Sequence, residues 1–501
     1  MAETDALLAV RREVATLRCP TEGVIEGRLV GAAGGARFAN IAPGSGQSLG
    51  AVAAFGVRDV DAAVASARAA FEDGRWRDQP AKAKKQVLHA FADILAAHAE
   101  ELALLESLDT GKPIGDARAV DIPLAIDTMR YYAEALDKIY GEVAPPSPTR
   151  ISYAVHEPLG VIGAIVPWNF PLHMAMWKVA PALAMGNSVV LKPAEQSPMT
   201  ALRVGELALE AGLPPGVFNV VPGTGEGAGQ ALARHMDVDM IAFTGSGAVG
   251  RLLMRYSGES NLKRVSLELG GKSPQIVFPD CPDLDAAAQA AAWGVFYNQG
   301  QVCTAASRLL VHRDIKADFM ERVVAVAKTI VPGDPLDPAT RFGSMVSEAQ
   351  MNTALRYIGI AEQEGGAPLI GGRRVREESG GFYVEPTIFD GIGPSSTLAR
   401  EEVFGPVLGV IAFESDEQAF QIANDTVYGL AAGVWTANLD RAHVAARKLR
   451  AGLVWVNGWD ACDITMPFGG FKQSGFGRDR SLHALAKYAD LKAITFTIGR
   501  T

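Results

Sequence analysis

Met240-Ile241-Ala242-Phe243-Thr244-Gly245-Ser246-Gly247-Ala248-Val249-Gly250 is the stretch that decides the fold. Its opening, Met240–Phe243, is short and apolar and reads as a buried strand. Gly245, Gly247 and Gly250 then match G-x-G-x-x-G and open a helical stretch. That strand–turn–helix context is the one a dinucleotide fingerprint requires, because the helix N-terminus points backbone N–H groups at a phosphate. The fingerprint also expects an acid about 20 residues on, to hold a ribose. Glu268 meets that at the end of the strand-like Arg264–Glu268. Taken alone the motif makes Glu268 a ribose ligand; the alternative is a glycine-rich helix entry that binds nothing.

Upstream, short β-branched runs at Val161–Val166, Ser188–Leu191 and Val217–Val221 alternate with helical stretches at Met174–Leu183, Thr200–Ala211 and Gly227–His235. Such alternation predicts a parallel sheet with helices on both faces. Ligands of such sheets bind beyond the carboxyl ends of the strands. A second series follows Gly270-Gly271, where a domain boundary is expected: helix Leu284–Phe296, strand Leu309–Val311, helix Ile315–Val331 and strand Val407–Ala412. Earlier still, Val60, Val64, Ala67 and Phe71 recur on one face of a helix over Asp59–Phe71. Ala81–Leu108 reads as helical up to the stop signal Gly111-Lys112-Pro113. Pro145, Pro146 and Pro148 mark a turn before a strand at Arg150–Val155. The tail Lys492–Thr497 alternates like a strand that pairs with another element or another subunit.

With 501 residues and 48% hydrophobic content, the chain can bury a large core and is expected to hold more than one domain. A net charge of −9 disfavours a nucleic-acid partner, which needs a basic surface. Met1–Arg12 carries charges of both signs and no apolar core of a signal peptide, and no apolar run is long enough to span a membrane. Cys19, Cys281, Cys303 and Cys462 show neither disulfide nor metal-ligand spacing. A cytoplasmic protein without a metal is expected.

Seven runs add specificity together that none has alone. They are Pro167-Trp168-Asn169-Phe170-Pro171, Lys192-Pro193-Ala194-Glu195, Phe243-Thr244-Gly245-Ser246, Glu268-Leu269-Gly270-Gly271-Lys272-Ser273-Pro274, Asn298-Gln299-Gly300-Gln301-Val302-Cys303, Glu401-Glu402-Val403-Phe404-Gly405-Pro406-Val407 and Pro467-Phe468-Gly469-Gly470. In order and spacing, from about residue 30 to the end, the chain resembles the aldehyde dehydrogenase superfamily. The resemblance implies an α/β fold in three parts. A Rossmann-like NAD-binding domain takes residues 1–139 and 160–270, and a catalytic α/β domain takes 271–470. A small β oligomerisation element takes 140–159 and 471–501, implying a homodimer or homotetramer.

Oxidising an aldehyde to an acid through a thioester needs a nucleophile, an oxyanion hole, a cofactor and a base for water. By resemblance Cys303 is the nucleophile; a lone cysteine is otherwise most often a small buried hydrophobe. Asn169, with the backbone N–H of Cys303, is the oxyanion donor. Glu268 becomes the general base, and Glu195 of the Lys192 run takes over the ribose. Gly245 and Ser246 lie by the pyrophosphate, with Val166 and Gly225 in the same cofactor set. Glu402 holds the nicotinamide ribose beside Phe404, and Trp168 lines the adenosine-side approach. A 2′-phosphate would meet the charge of Glu195, so NAD is expected over NADP.

One departure stands out. The family often has Gly-Arg-Glu-Leu-Gly where this chain has Gly477-Arg478-Asp479-Arg480-Ser481. Asp479, one methylene shorter, is expected to form a proton exit path with Lys178. The tail resembles a bacterial subgroup acting on γ-aminobutyraldehyde-type substrates, including γ-glutamylated and guanidino forms from polyamine and arginine breakdown. Phe170, Met174 and Trp177 share one helix face that can line a substrate tunnel. The loop with Trp459, Asp460, Cys462 and Asp463, next to Phe468, is expected to wall the entrance, with Asp121 at the same mouth. A general aliphatic or aromatic aldehyde is the alternative substrate. A coenzyme A-acylating enzyme would not need Glu268, and a dinucleotide-binding regulatory protein would need neither Cys303 nor Asn169.

Overall fold

A computed structural model describes residues 4–145, 147–461 and 463–499. The alternating segment folds into an eight-stranded sheet among the described residues. Its middle is parallel, in the order Phe218–Val220, Ser188–Lys192, Val161–Ile165, Met240–Thr244 and Arg264–Glu268. Gly23–Ile25, with Arg28–Val30 beyond it, and Gly475–Phe476 flank this middle antiparallel, so the last of these places part of the chain after residue 471 beside Leu267 and Glu268. The first three parallel strands run outward from Val161–Ile165, and the chain then returns to that strand's other side. The topological switch therefore falls between Val161–Ile165 and Met240–Thr244, where a sheet of this type opens a crevice.

A seven-stranded sheet carries the second series, with Arg308–His312 and Pro274–Val277 at its centre between Val407–Phe413 and Ala431–Trp435. The central strands of both sheets are wholly buried, as expected where helices cover each face. The tail strand Ala489–Thr497 pairs antiparallel with Arg150–Pro158 of the same chain, and Glu142–Val143 adds a third strand. Pro146, in the turn before it, lies outside the described residues.

Two local readings change. The helix expected over Ala81–Leu108 is two, Ala81–Ala97 and Ala99–Thr110, broken at His98. The first buries one face. The second is buried from Leu102 to Thr110, so the chain turns inward between them before Gly111, left-handed at φ 74°, ends it. The helix expected over Gly227–His235 is a π turn at Gly225–Gly229 followed by a short helix Gln230–Arg234. Three glycines in those five residues weaken the α form, and the Thr224 hydroxyl caps the turn by accepting from Gly227 N–H at 3.0 Å. An N-terminal helix, Asp5–Thr16, and a hairpin, Arg37–Ala42 with Gln47–Ala53, carry no signal singled out from the sequence. Among the described residues no helix is long and apolar enough to cross a membrane.

Candidate active site

A cavity of about 1080 Å³ opens at the switch point. Trp168 and Asn169, after the strand Val161–Ile165, reach it from one side. Gly245 and Ser246, after Met240–Thr244, reach it from the other, and Glu268 arrives at the end of the next strand. Cys303 comes from the second sheet's side of the chain.

The backbone before Cys303 is forced. Asn298, Gln299 and Gly300 are left-handed in succession, at φ 47°, 56° and 73°. Such a state costs a non-glycine residue on the order of 1–3 kcal/mol, so the surroundings must hold it. Gly300 has no alternative: a Cβ there would sit 2.2 Å from the Gly405 carbonyl oxygen. Asn298 donates through its side-chain amide to the Asn169 carbonyl at 3.1 Å, and the Gln301 side-chain oxygen accepts from Val346 N–H at 2.9 Å. Asn169, in turn, donates through its own amide to the Gln301 carbonyl at 2.9 Å. One amide proton of Asn169 is thus committed to the turn that carries Cys303, and the second remains for a ligand oxygen in the cavity.

Burial pushes the Cys303 thiol well above its usual range, and the nearby acids Glu402, Asp460 and Glu268 push it further. It rests as a neutral thiol. Cys19 and Cys281 do not line the cavity, and Cys462 lies outside the described residues. Glu268 is buried with both carboxylate oxygens unpartnered. Burial, with the charge of Asp479, raises its pKa well above the ordinary carboxylate value, outweighing Lys178, Lys487 and Arg478. Asp479 pairs with Lys178 through one oxygen and with Lys487 through the other. Burial opposes its ionisation, yet the two ammonium groups hold it below the usual range. Its shorter side chain therefore spans to Lys178. Lys487 went unread because it follows Asp479 in sequence without sharing any motif with it.

The groups expected to hold a cofactor divide in two. Gly245, Ser246, Glu402, Phe404 and Trp168 line the cavity, joined by Thr244, which was not among them. Val166, Lys192, Glu195 and Gly225 do not, although Val166 N–H donates to the Lys192 carbonyl across neighbouring strands. Lys192 is buried and donates to Glu195, whose carboxylate is partly exposed, at 2.9 Å. Glu402 accepts from Gly271 N–H at 2.9 Å, and burial raises its pKa to about 7. Trp168 packs edge-on against Phe404 at 5.2 Å. Ser246 caps the helix Gly247–Gly258, and the buried Thr244 hydroxyl beside it has no partner. Carboxylates suited to two ribose diols, a helix N-terminus and an orphaned hydroxyl fit a dinucleotide.

On the other side, Phe170, Met174 and Trp177 do share a face that lines the cavity, with Phe468 against Trp177 at 4.8 Å. Trp459, Asp460 and Asp463 line it as well. Asp121 does not. It is fully buried and ion-paired to Lys112, which itself lies 4.2 Å over the Phe170 ring. The lining face of that segment is Val120, Leu124, Asp127 and Thr128, so the acid at the mouth is Asp127. Asp463 accepts from Thr465 N–H at 2.8 Å and Thr465 Oγ1 at 2.9 Å, which ties it to a turn. His173, Arg341 and Arg480 also line the cavity and were not foreseen.

A family model described as the aldehyde dehydrogenase family matches residues 30–494. The NADP/NAD-dependent aldehyde dehydrogenase PuuC of Escherichia coli (strain K12) is 51% identical over 95% of both chains. Among solved structures, an indole-3-acetaldehyde dehydrogenase in complex with NAD+ superposes with a TM-score of 0.98 at 52% identity, covering 99% of this chain and 100% of that one. A γ-glutamyl-γ-aminobutyraldehyde dehydrogenase from Burkholderia cenocepacia gives 0.97 at 54% identity, covering 98% and 100%.

Proposed function

The chain belongs to the aldehyde dehydrogenase family, and on that premise we propose that it oxidises amine-derived aldehydes with NAD through a thioester on Cys303. The observation that carries the reaction is the convergence of Cys303, Asn169 and Glu268 on one cavity. Cys303 gives up its thiol proton to solvent water in the cavity, and the thiolate then forms the S–C bond to the aldehyde carbon as the carbonyl π pair moves onto oxygen. The oxyanion that forms takes the uncommitted amide proton of Asn169 and the Cys303 backbone N–H. When bound, the nicotinamide supplies the hydride acceptor. Glu268, unpaired and raised in pKa, takes a proton from water so that hydroxide releases the acid from sulfur. Asp479 between Lys178 and Lys487 holds a fixed charge behind Glu268 and offers that proton a way out.

Glu195 and Glu402 hold the two riboses in this reading, and repulsion between Glu195 and a 2′-phosphate favours NAD over NADP. The amine-derived substrate rests on Asp127, Asp460 and Asp463 gathered with Trp459 at the mouth, and on the relatives' names. Residues 1–139 with 160–270, 271–470, and 140–159 with 471–501 are proposed as cofactor, catalytic and oligomerisation parts. The exposed Ile151, Leu491 and Phe496 on the three-stranded sheet suit a homo-oligomeric contact. Aldehyde-dependent NADH formation without coenzyme A tests the reaction, and an absolute need for coenzyme A would overturn it.

A further inference from the structure

Arg480 is 5% exposed and lines the cavity, yet among the described residues its guanidinium has neither an ion pair nor a hydrogen bond. The guanidinium lies over the face of Trp177, 5.6 Å from the ring centre. A buried cation without a partner is costly, and such groups are retained where a ligand completes them.

The backbone is bent to put it there. Arg480 and Ser481 are both left-handed, at φ 62° and 51°, a state neither residue favours. Flanking bonds enforce it. Phe468 and Asp479 exchange N–H···O bonds at 2.8 Å in both directions, Ser481 N–H donates to the Ile464 carbonyl at 2.7 Å, and the Tyr132 hydroxyl donates to the Ser481 carbonyl at 3.2 Å.

The charged groups facing it do not neutralise it. Asp463 is close enough to feel its charge but is bonded to Thr465, and no acid among the described residues forms an ion pair with it. His173 accepts from Trp177 Nε1 at 2.8 Å, and its burial, with Arg480 and Lys112 nearby, lowers its pKa to about 3, so it is neutral.

We propose that Arg480 binds a carboxylate at the far end of the substrate, so that the preferred aldehydes carry an anionic group distal to the carbonyl. The inference rests on aldehyde oxidation in this cavity. It adds that the tail offers a carboxylate to Arg480 as well as a nitrogen group to the acids at the mouth. A planar fork of N–H donors suits a carboxylate bidentately.

The test compares kcat/KM for linear aldehydes of increasing length that end in a carboxylate with the matching carboxamides, in the wild type, Arg480→Gln and Arg480→Lys. At one length the wild type is expected to prefer the carboxylate by on the order of tenfold, expressed in KM. That ratio should fall to about one in Arg480→Gln and be partly kept in Arg480→Lys. Should the Gln variant not fold, Arg480→Asn, which tolerates a left-handed backbone, replaces it. A wild-type ratio near one at every length, or a ratio that survives in Arg480→Gln, overturns the proposal. Pentanal separates the two readings: if it is oxidised while the ratio stays at one, only the role of Arg480 falls. If no aldehyde is oxidised, the underlying reading falls with it.

Discussion

The two ends of the cavity are built differently. At the inner end the turn that carries Cys303 is held by several bonds at once. Asn169, Asn298 and Gln301 tie one another down, and Gly300 is pressed against Gly405. At the mouth, Asp463 answers to its own turn, and Arg480 packs over Trp177 with no hydrogen bond or ion pair to its guanidinium among the described residues. An inner end held this way performs one reaction on any aldehyde that reaches it, whereas an outer end that turns charged side chains into the cavity chooses which aldehyde arrives. Substitutions inside should therefore strike all substrates alike, and substitutions at the mouth should change only their ranking.

The largest expected effect breaks the inner end outright. Cys303→Ala should bind NAD but give no acyl adduct and no turnover with any aldehyde, checked by mass spectrometry of the quenched enzyme and by NADH formation. Asn169→Ala should come next, because losing one oxyanion donor costs about 2.7–4 kcal/mol of barrier, or roughly 10²–10³ in kcat. If Asn169 mattered only for holding the Cys303 turn, thermal stability would drop along with kcat; an unchanged Tm with a reduced kcat assigns it to the oxyanion.

Glu268→Gln should leave the first turnover and slow the later ones, so that NADH appears as a burst and the thioester accumulates. A loss of NAD affinity instead would restore the ribose reading of Glu268. The pH profile adds a sign. Burial and Asp479 raise the Glu268 pKa, and a base works only when ionised, so deacylation should quicken as pH rises through that raised value and flatten in the Gln variant.

The same contrast separates what the sequence discloses from what it hides. Motif runs marked Cys303, Asn169 and Glu268, and the rule for carboxyl ends of parallel strands brings Asn169 and Glu268 together, while Cys303 lies before its strand and was marked by its motif alone. Groups at the mouth owe their places to distant segments. Asp121 is on the wrong face because the segment leads through a π turn, Ala117–Asp121, and the cavity face continues as Val120, Leu124 and Asp127. Asp121 is committed instead to Lys112. Arg480 was quoted only as part of a departure from a family pattern. Its left-handed backbone depends on partners near residues 132 and 464–468, which no local spacing announces.

The smallest expected effect sharpens the account of the mouth. Asp463 lines the cavity but is not buried like Arg480, and two bonds from Thr465 already occupy one of its oxygens. Those bonds, helped by the charge of Arg480, hold its carboxyl below the usual range, so it is ionised at any pH where the enzyme works. It can attract an ammonium or guanidinium tail, yet a solvent-exposed pair contributes only about 0–1 kcal/mol, and salt weakens it further. Asp463→Asn should thus raise KM for 4-aminobutanal or its guanidino analogue by no more than about fivefold relative to pentanal, with the difference fading as ionic strength rises. A much larger, salt-insensitive change would mean that Asp463 leaves Thr465 when substrate enters and that the mouth closes around the tail. An equal change for pentanal would place Asp463 among the fixed groups and erase the distinction between the two ends.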